Sequence, residues 1–231
     1  MILSKVRRRG LKIISPNHWA NFFSMSFSQN GEDILLDAVF QGKQDGFFVD
    51  VGAHHPYRFS NTYRLYRAGW RGLNIDPLPG NKDLFDRLRP RDENVEVGIA
   101  SHAGRLHYWS FREPAYNTFD EQLARARVDN GVSDIVDVIE VETAPLADLL
   151  RSFIPEGIAI DLMSVDVEGF DYQVLETNDW EQYRPHVVMA EVLNADFESM
   201  KDDPVYQLMK TNGYALNSKT HTSALFVDTR R

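Results

Sequence analysis

GFFVDVGAHHP, residues 46–56, combines an apolar, β-branched and aromatic run with an abrupt stop at Gly52. This pattern is typical of a buried strand that ends in a tight turn. Helical and strand patterns then alternate along the chain, which predicts an α/β fold with a mostly parallel sheet covered by helices on both faces. Only a few residues separate the last two predicted strands, 214–219 and 223–228, so they must be antiparallel.

The remaining elements follow from the same patterns. The other predicted strands are 73–76, 94–100, 138–142, 159–167 and 185–192, with a hairpin at 105–111. Predicted helices cover 60–68, 79–88, 118–128, 145–153, 172–177 and 204–212. A length of 231 residues favours one domain, so we expect a basic segment at 1–25 and a single domain at 26–231. Residues 107–137 largely lack a clear period and are expected to form an insertion on the substrate side.

Composition excludes several classes of protein. The chain has no cysteine, which excludes disulfides, thiolate metal sites and a cysteine nucleophile and fits a reducing compartment such as the cytoplasm. A formal charge of −9 disfavours nucleic acid as a partner, because nucleic-acid binders usually carry a basic surface. No apolar stretch approaches the roughly 18 residues that a membrane-spanning helix needs.

The basic start of the chain has two interpretations. Residues 1–31 contain five basic residues and no acidic residue, whereas the whole chain has 34 acidic residues against 25 basic ones. The favoured interpretation is a solvated terminus of a cytoplasmic protein. The alternative is weak peripheral contact with an anionic membrane surface, at the inner face of the membrane.

Polar residues follow the predicted strands at the positions where each strand ends. Ligands of doubly wound sheets bind outside the carboxyl ends of the strands, which makes these residues candidates for a site. They are Asp50, His54, His55, Asp76, Ser101, Asp166, Glu168 and Glu191.

The first turn favours a nucleoside without a pyrophosphate. A dinucleotide-binding turn uses three glycines to bring backbone amides close to the pyrophosphate, whereas this turn has Gly52 alone. Asp76 follows Gly52 by 24 residues, where an acid can bind both hydroxyls of a ribose. Asp50, Gly52 and Asp76 together therefore indicate a site for S-adenosylmethionine.

Several motifs also resemble one family. They are SQNGED at 28–33, FVDVGAHHP at 48–56, SNTY at 60–63, GWRGLNIDP at 69–77, SVDVEGFD at 164–171, NDW at 178–180 and RP at 184–185. Across residues 26–228, the chain resembles the FkbM family of class I S-adenosylmethionine-dependent methyltransferases. The resemblance implies a Rossmann-like fold with seven strands and an antiparallel last strand. It also implies O-methylation of a hydroxyl on a sugar, a glycan or a glycosylated natural product.

The same resemblance implies roles for individual residues. Residues 50–54 would form the loop at the methionine end of the cofactor, Asp76 would hold the ribose, and residues 166–169 would occupy the motif after the fourth core strand. The expected cofactor-binding residues are Gln29, Glu32, Asp50, Gly52, Ala53, His54, Asp76, Ser101 and Asp166. Gln29 and Glu32 open a predicted helix, where acids also favour the positive helix end, so they are either a lid or a helix cap.

Methylation of an alcohol requires a group that removes its proton. The candidates are His54, Asp166, Glu168, Glu191 and His221, of which His221 lies in the turn between the last two strands. For His54 and His221 the alternative to a catalytic role is a purely structural one, as residues of turns. Sugar contact is a further possibility for Tyr57, Arg58, Asn61, Tyr63 and Trp109, although aromatic residues at such spacings more often belong to a core.

Three alternatives remain beside this interpretation. Asp166, Glu168 and Glu191 could hold a divalent cation such as Mg²⁺, but hydrogen bonds to amides or substrate hydroxyls are favoured, and we assign no metal ligand. A nicotinamide-dependent oxidoreductase would share the sheet and the ribose-binding acid. A module that binds glycans or membranes without catalysis could share the fold.

Overall fold

A computed structural model describes residues 24–193, 196 and 198–230. In chain order the strands are β1 Phe47–Val51, β2 Arg71–Ile75, β3 Glu93–Val95, β4 Gly98–Ile99, β5 Gly104–Phe111, β6 Ile135–Ala144, β7 Leu162–Val165, β8 Val187–Glu191, β9 Tyr214–Lys219 and β10 Ser223–Asp228. The α-helices are α1 Glu32–Val39, α2 Tyr63–Arg67, α3 Asn81–Leu88, α4 Glu121–Asp129, α5 Leu146–Phe153, α6 Asp171–Glu176 and α7 Pro204–Thr211. Short 3₁₀ helices cover Pro114–Tyr116 and Ser199–Asp202.

The main sheet has seven strands in the order β3-β2-β1-β7-β8-β10-β9. The first five strands of this order, β3, β2, β1, β7 and β8, are parallel to one another. Strand β10 is antiparallel to both of its neighbours, β8 and β9. This is the predicted Rossmann-like arrangement, including the antiparallel final pair. The chain order reverses between β1 and β7, which places the switch point of the sheet at their carboxyl ends.

Helices cover both faces of the main sheet, as predicted. On one face, α5, α6 and α7 pack Leu150, Val174 and Met209 against the side chains of the central strands. On the other face, Leu36 of α1 and Leu65 of α2 pack against the sheet. Because the central strands are buried on both sides, they consist of nearly continuous apolar residues rather than an alternating pattern.

A second sheet of three strands, in the order β4-β6-β5, is built from the chain between β3 and α5. We call residues 98–144 the small unit; it also contains the 3₁₀ helix Pro114–Tyr116 and α4. Strand β6 pairs antiparallel with β5 and parallel with β4.

The small unit corrects three sequence predictions. The single strand predicted at 94–100 is divided, with β3 in the main sheet and β4 in the small unit. The hairpin predicted at 105–111 is one strand, β5, which pairs with β6. The strand predicted at 138–142 belongs to the small unit and not to the main sheet, because its alternation of apolar and acidic residues suits a sheet with one solvated face.

The basic segment 1–25 lies almost wholly outside the described residues. Within the described part of the chain, no helix is both long enough and apolar enough to cross a membrane.

Candidate functional site

A cavity opens at the carboxyl ends of β1, β2 and β7, at the switch point of the main sheet. The loops that follow these three strands line it, together with residues 108–119 of the small unit, the start of α1 and the turn between β9 and β10. The sheet therefore brings segments that are distant in sequence to one place, as the strand-end pattern predicts.

The turn after β1 is closed tightly by Gly52. Its φ is +77°, and a Cβ atom there would lie 1.9 Å from the backbone oxygen of Asp166. The amides of Gly52 and Ala53 both donate hydrogen bonds to the carbonyl of Ile75, at 2.9 and 3.2 Å. Only glycine fits this position, because a side chain would collide with the loop after β7.

Asp76 lies at the end of β2 and ties two loops together. One carboxylate oxygen accepts a hydrogen bond from the His54 amide at 2.8 Å. The other accepts from the Leu78 amide at 2.9 Å and from the side-chain amide of Asn81 at 2.8 Å. Burial raises the pKa of Asp76, and these hydrogen bonds oppose the rise. Since a carboxylate has about four acceptor positions, roughly one remains for a ligand hydroxyl.

Asp50 is buried at the end of β1 and rests on a polar network beneath the cavity. Its carboxylate accepts a hydrogen bond from the Thr62 hydroxyl at 2.6 Å, and that hydroxyl accepts one from Arg89 at 3.1 Å. Burial raises the pKa of Asp50, whereas Thr62 and Arg89 lower it. Asp50 is therefore fixed in place by groups that favour its charged form.

The start of α1 and the turn between β9 and β10 close one side of the cavity. The Glu32 carboxylate accepts hydrogen bonds from the Thr220 hydroxyl at 2.7 Å and from the Asn30 amide at 2.8 Å. The side-chain amide of Asn30 donates a further hydrogen bond, at 3.0 Å, to the Thr222 hydroxyl. Gly31 is the N-cap residue of α1, so neither Gln29 nor Glu32 caps the helix, and Glu32 lies in its first turn. Both residues line the cavity.

His54 lines the cavity in a left-handed conformation, with a φ of +54°. Burial, and then the positive charge of Arg58, lower the pKa of His54 to about 4. Its Nε2 atom is buried and has no hydrogen-bond partner among the residues that the structure describes. The ring is therefore neutral near pH 7, where it is a weak base but still able to form a hydrogen bond with a ligand.

Asp166, Glu168 and Glu191 form what we call the acidic group. One carboxylate oxygen from each lies within 4.8 Å of the others. Burial, and next the charge of Asp166, raise the pKa of Glu191 to about 10. Burial and the charge of Glu168 raise the pKa of Asp166 well above its ordinary value. Because like charges this close resist joint ionisation, the group holds protons near neutral pH.

Glu168 differs from the other two members because it has a cationic partner. Its carboxylate forms an ion pair with Arg127 of α4, which opposes the rise in pKa that burial produces. Oxygen ligands in this number suit a hard divalent cation, so the three carboxylates could also hold Mg²⁺.

The small unit forms the opposite wall of the cavity. Its lining residues are Ile99, Tyr108, Glu113, Pro114, Ala115, Tyr116, Asn117 and Phe119. The Arg58 side chain reaches across from the loop after β1 and forms a 2.8 Å ion pair with Glu113. This wall is mainly aromatic and apolar, with hydroxyl and amide groups that could bind a polar ligand.

A sequence profile of the methyltransferase FkbM domain matches residues 50–216, which is more than half of the chain. This chain belongs to the FkbM methyltransferase family. It is therefore a methyltransferase that uses S-adenosylmethionine, as the motifs around Asp50, Asp76 and Asp166 indicate. Comparison with curated protein sequences gave no match.

Solved structures resemble this FkbM methyltransferase at low sequence identity. A TehB-like S-adenosylmethionine-dependent methyltransferase from Corynebacterium glutamicum is 12 % identical, with a TM-score of 0.44 over 98 % of this chain and 96 % of that one. An O-methyltransferase from Bacillus cereus, solved with S-adenosylhomocysteine, is 12 % identical, with a TM-score of 0.41 over 94 % and 89 %. The fold assignment rests instead on the strand order described above.

Most of the predicted site residues of this FkbM methyltransferase line the cavity. These are Gln29, Glu32, Asp50, Gly52, Ala53, His54, Asp76, Asp166 and Glu168. Glu191 does not line it but belongs to the acidic group. Of the residues considered for sugar contact, Arg58 and Asn61 line the cavity, whereas Tyr57, Tyr63 and Trp109 do not.

Besides Glu191, two more predicted residues do not line the cavity. Ser101 is exposed and hydrogen-bonds to the His102 ring, because the chain has already left the main sheet at β4. His221 is exposed at the tip of the turn between β9 and β10, while its neighbours Thr222 and Ser223 line the cavity. The structure thus supports neither residue as a member of the site.

Sequence reasoning missed four residues that support the site. Asn81 bonds to Asp76, Thr62 and Arg89 support Asp50, and Arg127 pairs with Glu168. Only Thr62 lies within a recognised motif, SNTY. The other three follow no pattern that predicts the direction of their side chains.

Proposed function

We propose that this FkbM methyltransferase transfers the methyl group of S-adenosylmethionine to a hydroxyl group of a sugar, a glycan or a glycosylated natural product. The observation that carries the proposal is the position of the acidic group. Asp166 and Glu168 line the same cavity as the residues expected to bind the cofactor, so a proton acceptor and a cofactor site lie together.

The residues present fit the cofactor. The loop from Asp50 to His54 would hold the methionine end, and Asp76 with Asn81 would hold the ribose. One wall of the cavity is apolar and suits the adenine ring of the cofactor; it is formed by Leu78, Val97 and Ile99. When bound, S-adenosylmethionine supplies a methyl group attached to a positively charged sulfur, and negative charge in the site favours such a cation.

Glu168 would accept the proton of the acceptor hydroxyl, because its ion pair with Arg127 favours its charged form, whereas Asp166 and Glu191 hold protons near neutral pH. A hydroxyl is a poor nucleophile until its proton is removed, and a positioned base contributes about 10²- to 10⁴-fold to such a reaction. The titration belongs to the group rather than to one residue, because Asp166, Glu168 and Glu191 interact strongly. His54 is the weaker candidate, since its pKa is lowered to about 4.

The wall of the small unit supports the proposal of a sugar as acceptor, since a sugar is polar but has flat apolar faces. The residues concerned are Tyr108, Tyr116 and Asn117. They offer ring surfaces and hydrogen-bonding groups on the wall of the small unit. The same placement supports the proposal that residues 107–137 are an insertion on the substrate side. We also propose that the enzyme works in the cytoplasm and has no nucleic-acid partner, in keeping with its net charge of −9.

The first turn disfavours a nicotinamide-dependent oxidoreductase. The amides of Gly52, Ala53 and His54 are all occupied by hydrogen bonds to Ile75 or Asp76. Few free amides remain there to bind a pyrophosphate, which a dinucleotide site requires.

Cofactor binding can be tested by calorimetry with S-adenosylhomocysteine. Loss of the hydrogen bonds made by the Asp76 carboxylate in Asp76→Ala should weaken binding by roughly 1.5–3 kcal/mol. The exposed Asp83 on α3 supplies the control, because Asp83→Ala should bind as the unmodified protein does. Unchanged affinity in a folded Asp76→Ala protein would remove Asp76 from the site.

The acceptor can be tested by incubation with labelled S-adenosylmethionine and glycan extracts. We expect label in an alkali-stable methyl ether. Label found only in protein, nucleic acid or base-labile esters would overturn the acceptor assignment. The same assay with a chelator tests the metal alternative, and we expect full activity, because the acidic group can accept a proton without a cation. Activity that disappears and returns with Mg²⁺ would instead identify a cation site.

A further inference from the structure

Arg127 of α4 connects two parts of the cavity wall without lining the cavity itself. Its side chain is nearly buried, and its guanidinium ion-pairs with Glu168 in the loop after β7. The same guanidinium donates a 2.7 Å hydrogen bond to the carbonyl of Tyr116 in the 3₁₀ helix. Glu168 and Tyr116 both line the cavity, whereas Arg127 is not among its lining residues.

The loop that carries Glu168 needs support from outside. Glu168 has a φ of +55°, a conformation that side chains other than glycine rarely adopt unless surrounding contacts hold them there. The Thr118 hydroxyl donates a 3.0 Å hydrogen bond to the Glu168 carbonyl. Leu123 of α4 packs so close to Gly169 that a Cβ there would lie 3.0 Å from it. These contacts to the loop come from the small unit.

The shape of arginine suits this double contact. A planar guanidinium can direct separate N–H groups to a carboxylate and to a carbonyl, whereas a lysine ammonium is a compact charge on a flexible stem. The ring of Tyr116 also lies under the Arg127 guanidinium, with 5.3 Å to the ring centroid. One side chain therefore fixes Tyr116 and Glu168 relative to each other.

We propose that Arg127 is a positioning residue for methyl transfer, which holds the Glu168 carboxylate and the Tyr116 wall in the arrangement that receives the acceptor. This inference rests on the proposed function. Arg127 touches neither the cofactor residues Asp50 and Asp76 nor the cavity, so its role concerns the acceptor hydroxyl and its proton. It would couple the small unit to the acidic group.

The test compares Arg127→Gln and Arg127→Lys with Arg125→Gln. Arg125 lies on the same helix but is exposed and pairs with Glu121, which makes it a matched control. A small misplacement of reacting groups can lower the rate about 10²-fold, so we expect a loss of kcat of that order in Arg127→Gln. Affinity for S-adenosylhomocysteine should stay unchanged, and Arg127→Lys should give an intermediate kcat.

A second measurement does not depend on methyl transfer. Hydrogen exchange should rise together in residues 112–119 and 166–170 of Arg127→Gln, but not in Arg125→Gln. If the unmodified protein transfers no methyl group to any hydroxyl, the proposed function fails while this exchange experiment still decides whether Arg127 couples the two segments.

Three outcomes would overturn the inference. One is a normal kcat in Arg127→Gln, which would show that the contact has no part in the reaction. Another is exchange that changes in only one of the two segments, because a positioning role requires both. An equal loss of cofactor affinity and kcat, with no recovery in Arg127→Lys, would assign Arg127 to general stability instead.

Discussion

Gly52 shows how one residue joins the two halves of the sheet at the site. A Cβ atom on Gly52 would collide with the backbone oxygen of Asp166, so the turn after β1 and the loop after β7 approach each other through a residue without a side chain. Gly80 also has a positive φ, of +87°, but in the described part of the chain no atom beyond its own chain neighbours lies within 4 Å of the position that its Cβ would take. The two glycines therefore separate the effect of backbone conformation from the effect of crowding.

We expect Gly52→Ala to lower the free energy of unfolding more than Gly80→Ala does. Gly80→Ala carries only the strain of a left-handed backbone, about 1–2 kcal/mol, whereas Gly52→Ala adds a collision with the Asp166 carbonyl. Urea unfolding measures both, and calorimetry should show that only Gly52→Ala loses affinity for S-adenosylhomocysteine. Equal losses in the two variants would mean that the loop after β7 moves aside freely.

The buried acids predict a stability that falls as pH rises. Burial raises the pKa of Glu191 to about 10 and that of Asp171, the first residue of α6, to about 7. Above pH 4.5 the folded protein therefore binds more protons than the unfolded chain. His54 acts in the opposite direction, but only below its unfolded pKa of about 6.5. Above that pH, the acids alone determine the sign of these three contributions.

We therefore expect the unfolding free energy of the unliganded protein to fall between about pH 6.5 and pH 9. Urea unfolding in the presence of a chelator measures this, and Glu191→Gln should flatten the slope, because it removes a carboxyl group whose pKa burial raises to about 10. A slope that is the same in Glu191→Gln would contradict the assignment. Asp83→Asn, an exposed change, is the control.

At the level of elements, the small unit supplies a wall that the main sheet lacks. Tyr116 lies in its 3₁₀ helix and lines the cavity opposite the cofactor loops. In Tyr116→Ala, which lacks this ring, the KM for the acceptor should rise about 3- to 10-fold, because one aromatic contact contributes about 0.5–1.5 kcal/mol to binding. Affinity for S-adenosylhomocysteine should remain normal.

Tyr116→Ala and the exposed β6 variant Val136→Ala form the matched pair for this prediction. Steady-state kinetics with a glycan acceptor should separate them, since Val136 does not line the cavity. If Tyr116→Ala weakens the cofactor and the acceptor equally, the small unit does not form a separate acceptor wall.

The elements of the main sheet were predictable because their signals are local. The apolar run before Gly52 and the helix patterns that follow need only a short stretch of sequence. The split of 94–100 into β3 and β4 was not predictable in this way, since it depends on the pairing of Gly98 and Ile99 with Thr143 and Ala144 of β6, which lie far away in the chain. The position of Ser101 outside the cavity follows directly from that missed split.

The site residues likewise divide into those that local patterns place and those that tertiary packing places. Asp50, Asp76 and Asp166 end strands, so their places follow from the sheet. Arg127 lies within a helix that the sequence predicts, and Arg89 directly follows another, yet their contacts depend on tertiary packing. A buried arginine looks like a surface residue in a sequence, because its charge is ordinarily solvated.

Charge is uneven over the whole molecule. The five basic residues within positions 1–31 precede a chain that is strongly acidic, so the start of the chain and the rest differ in sign. A solvated terminus remains the favoured interpretation of this segment. The alternative proposal is weak peripheral contact with an anionic membrane, where a lipid-linked acceptor would be available. Each basic residue near such a surface contributes about 1 kcal/mol, which falls with salt.

Deletion of residues 1–20 should therefore reduce binding to liposomes that contain anionic lipid, because it removes all five basic residues of the segment. Sedimentation with liposomes at low and high salt measures this, and neutral liposomes provide the control. Activity on a soluble acceptor should remain intact in the shortened protein, since the cavity is lined only by residues from position 29 onward within the described chain. If the full-length protein does not bind anionic liposomes, the membrane proposal fails, and the methyltransferase assignment is unaffected.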